Sequence, residues 1–212
     1  MFTGIVEEVG TLRGVRPGAA SVALDISAGT ITGDAAVGDS ILTDGVCLTI
    51  TSLRADGFTA DAMPETVRRT TLSDRRPGDR LNLERAMTLS SRLGGHLVSG
   101  HIDGVGTVKS VMPEDNAVVL EVEAPEAVSR VTVDQGSIAL DGVSLTVVAV
   151  AGDRVRVSLI PHTAAVTTLG RLTTGSRVNL EADVIAKYVY AFVSGRKPGA
   201  GLTWEKLAEA GF

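Results

Sequence analysis

The chain has 212 residues, a formal net charge of −5 and only 3% aromatic residues, and its Lys and Arg are scattered, so it lacks the basic stripe and stacking platform of a nucleic-acid binder. Apolar residues make up 44%, yet no run approaches the roughly 20 needed to cross a bilayer, and residues 1–5 carry no basic segment followed by an apolar one. The single cysteine, Cys47, excludes an intrachain disulfide framework, and His96, His101 and His162 show no metal-ligand spacing; the expectation is a soluble cytoplasmic protein that takes a small-molecule ligand and needs no metal, nucleic acid or membrane.

Residues 3–15 are rich in Val, Ile and Thr with Gly10 among them, which predicts a strand bulged at that glycine. Residues 21–27 alternate apolar and polar side chains, as a half-buried strand does. Residues 40–53 are interrupted by Asp44-Gly45, a pair suited to a tight turn between two strands. Residues 58–63 and 80–87 supply two more strands, and 64–72 reads as a helical turn opened by Pro64. Residues 89–97 form a linker, polar at Ser90-Ser91-Arg92 and flexible at Gly94-Gly95. Strands follow at 105–111, 117–122, 137–140, 143–150, 155–160 and 177–182, with a helical turn at 125–130.

Much of this second set repeats the first. Asp44-Gly45-Val46-Cys47-Leu48-Thr49 returns as Asp141-Gly142-Val143-Ser144-Leu145-Thr146, a shift of 97 residues that carries position 44 to 141. At the same shift Pro64-Glu65-Thr66 becomes Pro161-His162-Thr163, and Asn82-Leu83-Glu84 becomes Asn179-Leu180-Glu181. Val9-Gly10-Thr11 matches Val105-Gly106-Thr107 at a shift of 96, so one residue is inserted between the first strand and the Asp-Gly turn. Short, regularly spaced strands with glycine-rich joints argue for an all-β protein of two tandem small barrels, residues 1–88 and 97–183.

Beyond Asp183, Val184, Ile185, Tyr188, Val189, Phe192 and Val193 fall on one face at helical spacing, with Gly195 as a stop. The first copy has no counterpart, so this stripe must lie on a barrel or on a partner subunit. Residues 203–210 read either as a second short helix, with Trp204 a contact residue, or as a frayed tail.

The opening Met1-Phe2-Thr3-Gly4-Ile5-Val6, the Cys47-Leu48-Thr49 segment, Gly94-Gly95-His96-Leu97-Val98-Ser99-Gly100-His101 and the paired Pro-x-Thr turns closely resemble riboflavin synthases of the α-chain type. The resemblance covers residues 1–183 in register. It implies two six-stranded Greek-key β-barrels, a C-terminal helical segment (184–212) that assembles a homotrimer, and no cofactor. The implied reaction is the dismutation of two molecules of 6,7-dimethyl-8-ribityllumazine, one giving four carbons to the other, at sites shared between the N-terminal barrel of one subunit and the C-terminal barrel of its neighbour. Whether a lumazine synthase capsid encloses the trimer is left open.

For the N-terminal pocket the resemblance carries ligand contacts onto Gly4, Ile5 and Val6, onto Cys47, Leu48 and Thr49, onto Asp61, Ala62, Met63, Pro64, Glu65 and Thr66, and onto Gly100, His101 and Ile102. For the C-terminal pocket the positions are Ser144, Leu145 and Thr146 with Leu159, Ile160, Pro161, His162, Thr163 and Ala164. Cys47 or Ser144 would add or position a nucleophile at the ring, Thr49 and Thr146 would hydrogen-bond it, and His101 would move a proton; Cys47, His101, Ser144 and Thr146 are the catalytic candidates. Two positions depart from the family's habit, His162 where Glu is frequent and Gln135 where Lys is frequent. A non-catalytic lumazine or flavin carrier would share the barrels, but Ser144, Thr146, Pro161 and Thr163 are all present and favour an enzyme. A reductase barrel would need a glycine-rich nucleotide fingerprint, which the chain lacks.

Overall fold

The computed structural model describes residues 1–18 and 21–195; residues 203–210 and Trp204 lie outside them. The first copy holds strands β1 (Glu8–Pro17), β2 (Val22–Ser27), β3 (Ser40–Thr43), β4 (Val46–Arg54), β5 (Gly57–Ala62) and β6 (Arg80–Arg85), with the short helix α1 (Pro64–Arg69) and a 3-10 turn (Thr71–Asp74) between the last two. The second holds β7 (Gly104–Glu114), β8 (Ala117–Glu123), β9 (Ser137–Leu140), β10 (Val143–Ala151), β11 (Arg154–Leu159) and β12 (Arg177–Ala182). It also carries a one-turn helix α2 (Glu126–Ser129), helix α3 (Pro161–Val166) and a 3-10 turn (Thr168–Arg171). Each set closes into an antiparallel barrel with the order β1-β2-β5-β4-β3-β6 or its equivalent in the second copy, a Greek-key path in which β3 and β6 pair across the top of the chain's meander.

Each barrel has its own core. Leu12, Leu24, Ile26, Ile50, Phe58, Leu81 and Leu83 fill the first, and Val108, Leu120, Val157, Leu159, Val178 and Leu180 the second. The alternation of the sequence thus serves its usual purpose, one face of each strand turned inward. The inserted residue lies between β2 and β9's counterpart: the second copy uses that loop to form α2, where the first has only turns. The predicted bulge falls between Leu12 and Gly14 rather than at Gly10, and recurs between Val108 and Ser110. Gly10 is small for a different reason, since a Cβ there would sit 2.5 Å from Leu83 Cδ1.

The barrels meet about a local two-fold axis. Asn82 Nδ2 donates to the Asp141 carbonyl (3.0 Å) and Asn179 Nδ2 to the Asp44 carbonyl (2.8 Å). Their side-chain oxygens accept the Thr168 and Thr71 amides, both at 2.8 Å. The Asp-Gly turns abut so closely that a Cβ on Gly45 or on Gly142 would lie 2.8 Å from the other glycine's nitrogen. β6 and β12 are therefore buried on both faces.

Helix α4 (Val184–Val193) is capped by Asp183, whose side chain accepts the Ile185 amide at 2.9 Å. Tyr190 packs on the second core with Arg130 over its ring, and Lys187 pairs with Asp103 at 2.8 Å. Of the predicted stripe, Ile185, Tyr188, Val189, Phe192 (74% exposed) and Val193 (83%) turn away from the barrel.

Candidate active site at two barrel mouths

Residues 3–7, expected to begin the first strand, are not part of it. Gly4 and Val6 reach the other barrel before the Glu7 amide returns to the Leu83 carbonyl of β6. The Ser144 amide of β10 donates to the Gly4 carbonyl at 2.8 Å, and symmetrically the Cys47 amide of β4 donates to the Gly100 carbonyl at 2.9 Å. Phe2 and Val98 bridge the two exchanged segments with paired amide bonds of 2.8 and 3.0 Å, and both side chains are fully buried. Each glycine has a left-handed φ, +76° at Gly4 and +81° at Gly100, and a Cβ would strike Ser144 Cβ at 2.6 Å or Cys47 Cβ at 2.5 Å. Only glycine permits that turn and that approach.

A buried glutamate holds each segment. Glu84 accepts from the Thr3 amide (2.6 Å), the Thr3 hydroxyl (2.7 Å) and the Gly4 amide (2.9 Å). Glu181 accepts from the Ser99 amide (2.7 Å), the Ser99 hydroxyl (2.6 Å) and the Gly100 amide (2.9 Å). Burial pushes the Glu84 carboxyl above its usual range, and the Thr3 and Gly4 donors oppose the shift. Neither glutamate was singled out as a site residue, although Glu84 and Glu181 are part of the repeat; a polar residue recurring in a strand that needs both faces covered was the available signal.

Of the residues expected at the first pocket, Gly4 bonds Ser144 of the second barrel and Val6 packs on that barrel's core, while Ile5 lines a hollow with Thr3, Glu84 and Arg85 and Ile102 packs on the first core. The segment that precedes a strand does not have to serve that strand's barrel.

At the first mouth, a cavity of about 160 Å³ is lined by Cys47, Glu65, Thr66, Arg69, His101 and Ile102, with Val46, Thr70 and Gly100. Cys47 is half-buried and His101 exposed. Arg68 (2.7 Å) and Arg69 flank the Glu65 carboxylate and hold it below the usual range. Thr49 is exposed and stands in register with Asp61. Leu48 and Ala62 point into the core, so only their backbones can serve a ligand, whereas Met63 and Pro64 stand at the rim.

At the second mouth, Ser144 is half-buried and Thr146 exposed, with Pro161 and His162 exposed and Thr163 and Ala164 half-buried on α3. Leu145 and Leu159 belong to the core and Ile160 is exposed. Gln135 holds a left-handed φ of +63° and its amide donates to the Val147 carbonyl at 2.9 Å, one residue past Thr146. The two arginines that flank Glu65 have Ala165 and Val166 as their counterparts, so this mouth is the less charged. It also holds a residue that the sequence reading passed over: His96 Nδ1 lies 2.7 Å from Ser144 Oγ. Burial lowers the His96 pKa against the opposing pull of Asp183 and Glu181.

Between the mouths, Asp44 and Asp141 are buried with one guanidinium, Arg75, at 2.6 Å from the first and 4.0 Å from the second. Burial raises Asp44 to about 6 despite Arg75. Burial and the neighbouring Asp44 charge raise Asp141 well above the ordinary range.

A family model described as the lumazine binding domain matches the chain twice, over residues 3–86 and 99–183. The chain is 42% identical to the riboflavin synthase of Bacillus subtilis over 215 residues, covering all of both proteins. It is 49% identical to that of Mycobacterium bovis over 193 residues, 89% of this chain and 96% of the relative. Among solved structures, LumP complexed with riboflavin superposes with a TM-score of 0.80 at 25% identity, covering 86% of this chain and 99% of LumP. Two lumazine-binding repeats and close kinship over almost the whole length place the chain in the riboflavin synthase family.

Proposed function

We propose that the chain acts as a riboflavin synthase: two molecules of 6,7-dimethyl-8-ribityllumazine dismutate, giving riboflavin and 5-amino-6-ribitylamino-2,4-pyrimidinedione. The observation that carries this reading is the pair of related but unequal mouths, Cys47 with Glu65 and His101 at one, Ser144 with His162 and His96 at the other. A reaction that consumes two identical molecules in different roles needs related pockets that treat them differently. Holding both rings in one geometry contributes about 7–11 kcal/mol relative to chance encounter, more than one side chain supplies. Backbone groups of 61–66 and 159–164 present donors and acceptors to the edge of a flat ring. Thr49 and Thr146 hydrogen-bond it, and Cys47 or Ser144 positions or adds the nucleophile. His101, exposed at the first mouth, moves a proton.

The same reading joins subunits. The apolar residues that α4 turns outward are the natural seat for neighbouring copies, and we read residues 184–212 as the oligomerisation segment of a cytoplasmic homotrimer. In it, the N-terminal barrel (1–88) of one subunit faces the C-terminal barrel (97–183) of the next, each mouth holding one lumazine. Co-elution with a lumazine synthase shell on gel filtration would establish enclosure.

Incubating the pure protein with the lumazine should generate the absorption and green fluorescence of riboflavin. Retention of ligand without product would make it a carrier instead. His101→Ala is expected to lower kcat by about 10²-fold, and a value within threefold of wild type removes the proton-transfer role.

A further inference from the structure

His96 comes from the linker between the copies, not from either barrel, and it reaches Ser144 because the residue before it is a glycine. A Cβ on Gly95 would lie 2.2 Å from the Thr3 carbonyl oxygen and 2.8 Å from Ser144 Oγ, so no larger residue lets the linker descend onto the second mouth. The His96 amide then donates to the Thr3 carbonyl at 3.1 Å, fixing the backbone. The residue is only 9% exposed. Its Nδ1 sits 2.7 Å from Ser144 Oγ, and among the described residues its buried Nε2 has no hydrogen-bond partner.

The tautomer with its proton on Nδ1 donates to Ser144 Oγ and leaves Nε2 a bare acceptor, and a buried acceptor without a partner is less costly than a buried N–H without one. The serine oxygen thereby accepts from inside the protein, and its own O–H is left to donate outward. Cys47, the counterpart in the first barrel, has a thiol, a weak donor, and among the described residues no histidine pairs with it.

We propose that His96, with its ring proton on Nδ1, is a positioning residue for Ser144, turning its hydroxyl into an oriented donor for a carbonyl oxygen or ring nitrogen of the heterocycle bound at the second mouth, and that this linker histidine adds to the inequality of the two pseudo-equivalent pockets. The inference rests on the functional reading above and deepens it. The lumazine at the second mouth is held by a directed hydroxyl, and the one at the first by backbone groups beside a thiol.

The test is a double-mutant cycle on the full chain, read by riboflavin titration at each mouth and by steady-state kinetics. Cys47 is the only cysteine, so ligand protection of its thiol reports on the mouth that it lines. His96→Ala and Ser144→Ala should each weaken the second binding event by about tenfold, the scale of one oriented hydrogen bond, with Cys47 protection unchanged. The double variant should be no weaker than Ser144→Ala, and His96→Asn, whose amide can occupy the place of Nδ1, should restore most of the loss. Should His96→Ala fail to fold, His96→Asn against His96→Leu carries the same comparison. Losses that multiply in the double variant, or a His96→Ala protein that binds as wild type does, overturn the proposal while wild-type turnover leaves the assigned reaction standing. Wild-type protein that forms no riboflavin overturns the functional reading, and this inference with it.

Discussion

Glu84 belongs to the first barrel yet should control the second. Its carboxylate takes three hydrogen bonds from Thr3 and Gly4, at 2.6, 2.7 and 2.9 Å, and the Gly4 carbonyl in turn receives the Ser144 amide. Glu84→Ala strands two amides and a hydroxyl in a buried place. Bonds to a charged acceptor contribute about 1.5–3 kcal/mol each, but water entering the gap offsets part of the sum, leaving about 3 kcal/mol. For a chain of this size that lowers Tm by about 6–12 °C. The released segment should weaken riboflavin binding at the Ser144 mouth by more than about tenfold, or about 1.4 kcal/mol, with little change in protection of the Cys47 thiol. Glu181→Ala should do the reverse, because the segment it holds, Ser99 and Gly100, serves the Cys47 mouth. Titration by calorimetry, beside the rate of thiol labelling with and without ligand, separates the two. Losses confined to the glutamate's own barrel would refute the crossed arrangement.

Other perturbations probe the axis, the linker and the helix. Asp44 and Asp141 hold protons in the folded chain that they release on unfolding, since Asp44 is raised to about 6 and Asp141 well above its usual value. Stability should therefore fall as pH rises from about 4, the unfolded carboxylate range, through about 6, and level off once both sites have ionised. Asp141→Asn keeps an oxygen for the Asn179 amide and removes the like charge, so melting curves from pH 4.5 to 8.5 should show a shallower slope; an unchanged slope would assign the dependence elsewhere. Gly95→Ala cannot avoid the Thr3 carbonyl, and differential scanning calorimetry should show a loss of about 1–3 kcal/mol, the usual cost of overpacking, with weaker binding at the second mouth. Phe192→Glu, on the outward face of α4, should reduce the mass seen by light scattering to that of a monomer without lowering Tm; an unchanged mass would place the subunit contact elsewhere.

The strands and the duplication were legible because each strand buries one face in its own barrel, which leaves period-two alternation in the sequence. α4 was legible too, its six apolar positions falling on one face. What escaped were the residues whose partners lie in the other copy. Residues 3–7 carry a strand-like composition, and nothing local shows that Gly4 answers to Ser144. Asn82 and Glu84 bracket Leu83 in a strand that needs cover on both sides, a pattern visible in the repeat but meaningless until the second barrel supplies that cover. His96 had only the flanking glycines to mark it, and glycines in a linker ordinarily mean slack rather than a close approach.

The crossed segments also bear on how the chain is made. Asn179 and Asp44 bond across 135 positions, and at about 5–20 residues per second of synthesis the earlier partner waits roughly 7–27 s for the later one. Before then Glu84 and Val98 can already hold Thr3 and Phe2, but the Gly4 carbonyl waits for the Ser144 amide and the Phe2 ring for Ala139. What is translated first therefore receives the last of its partners from the barrel translated second.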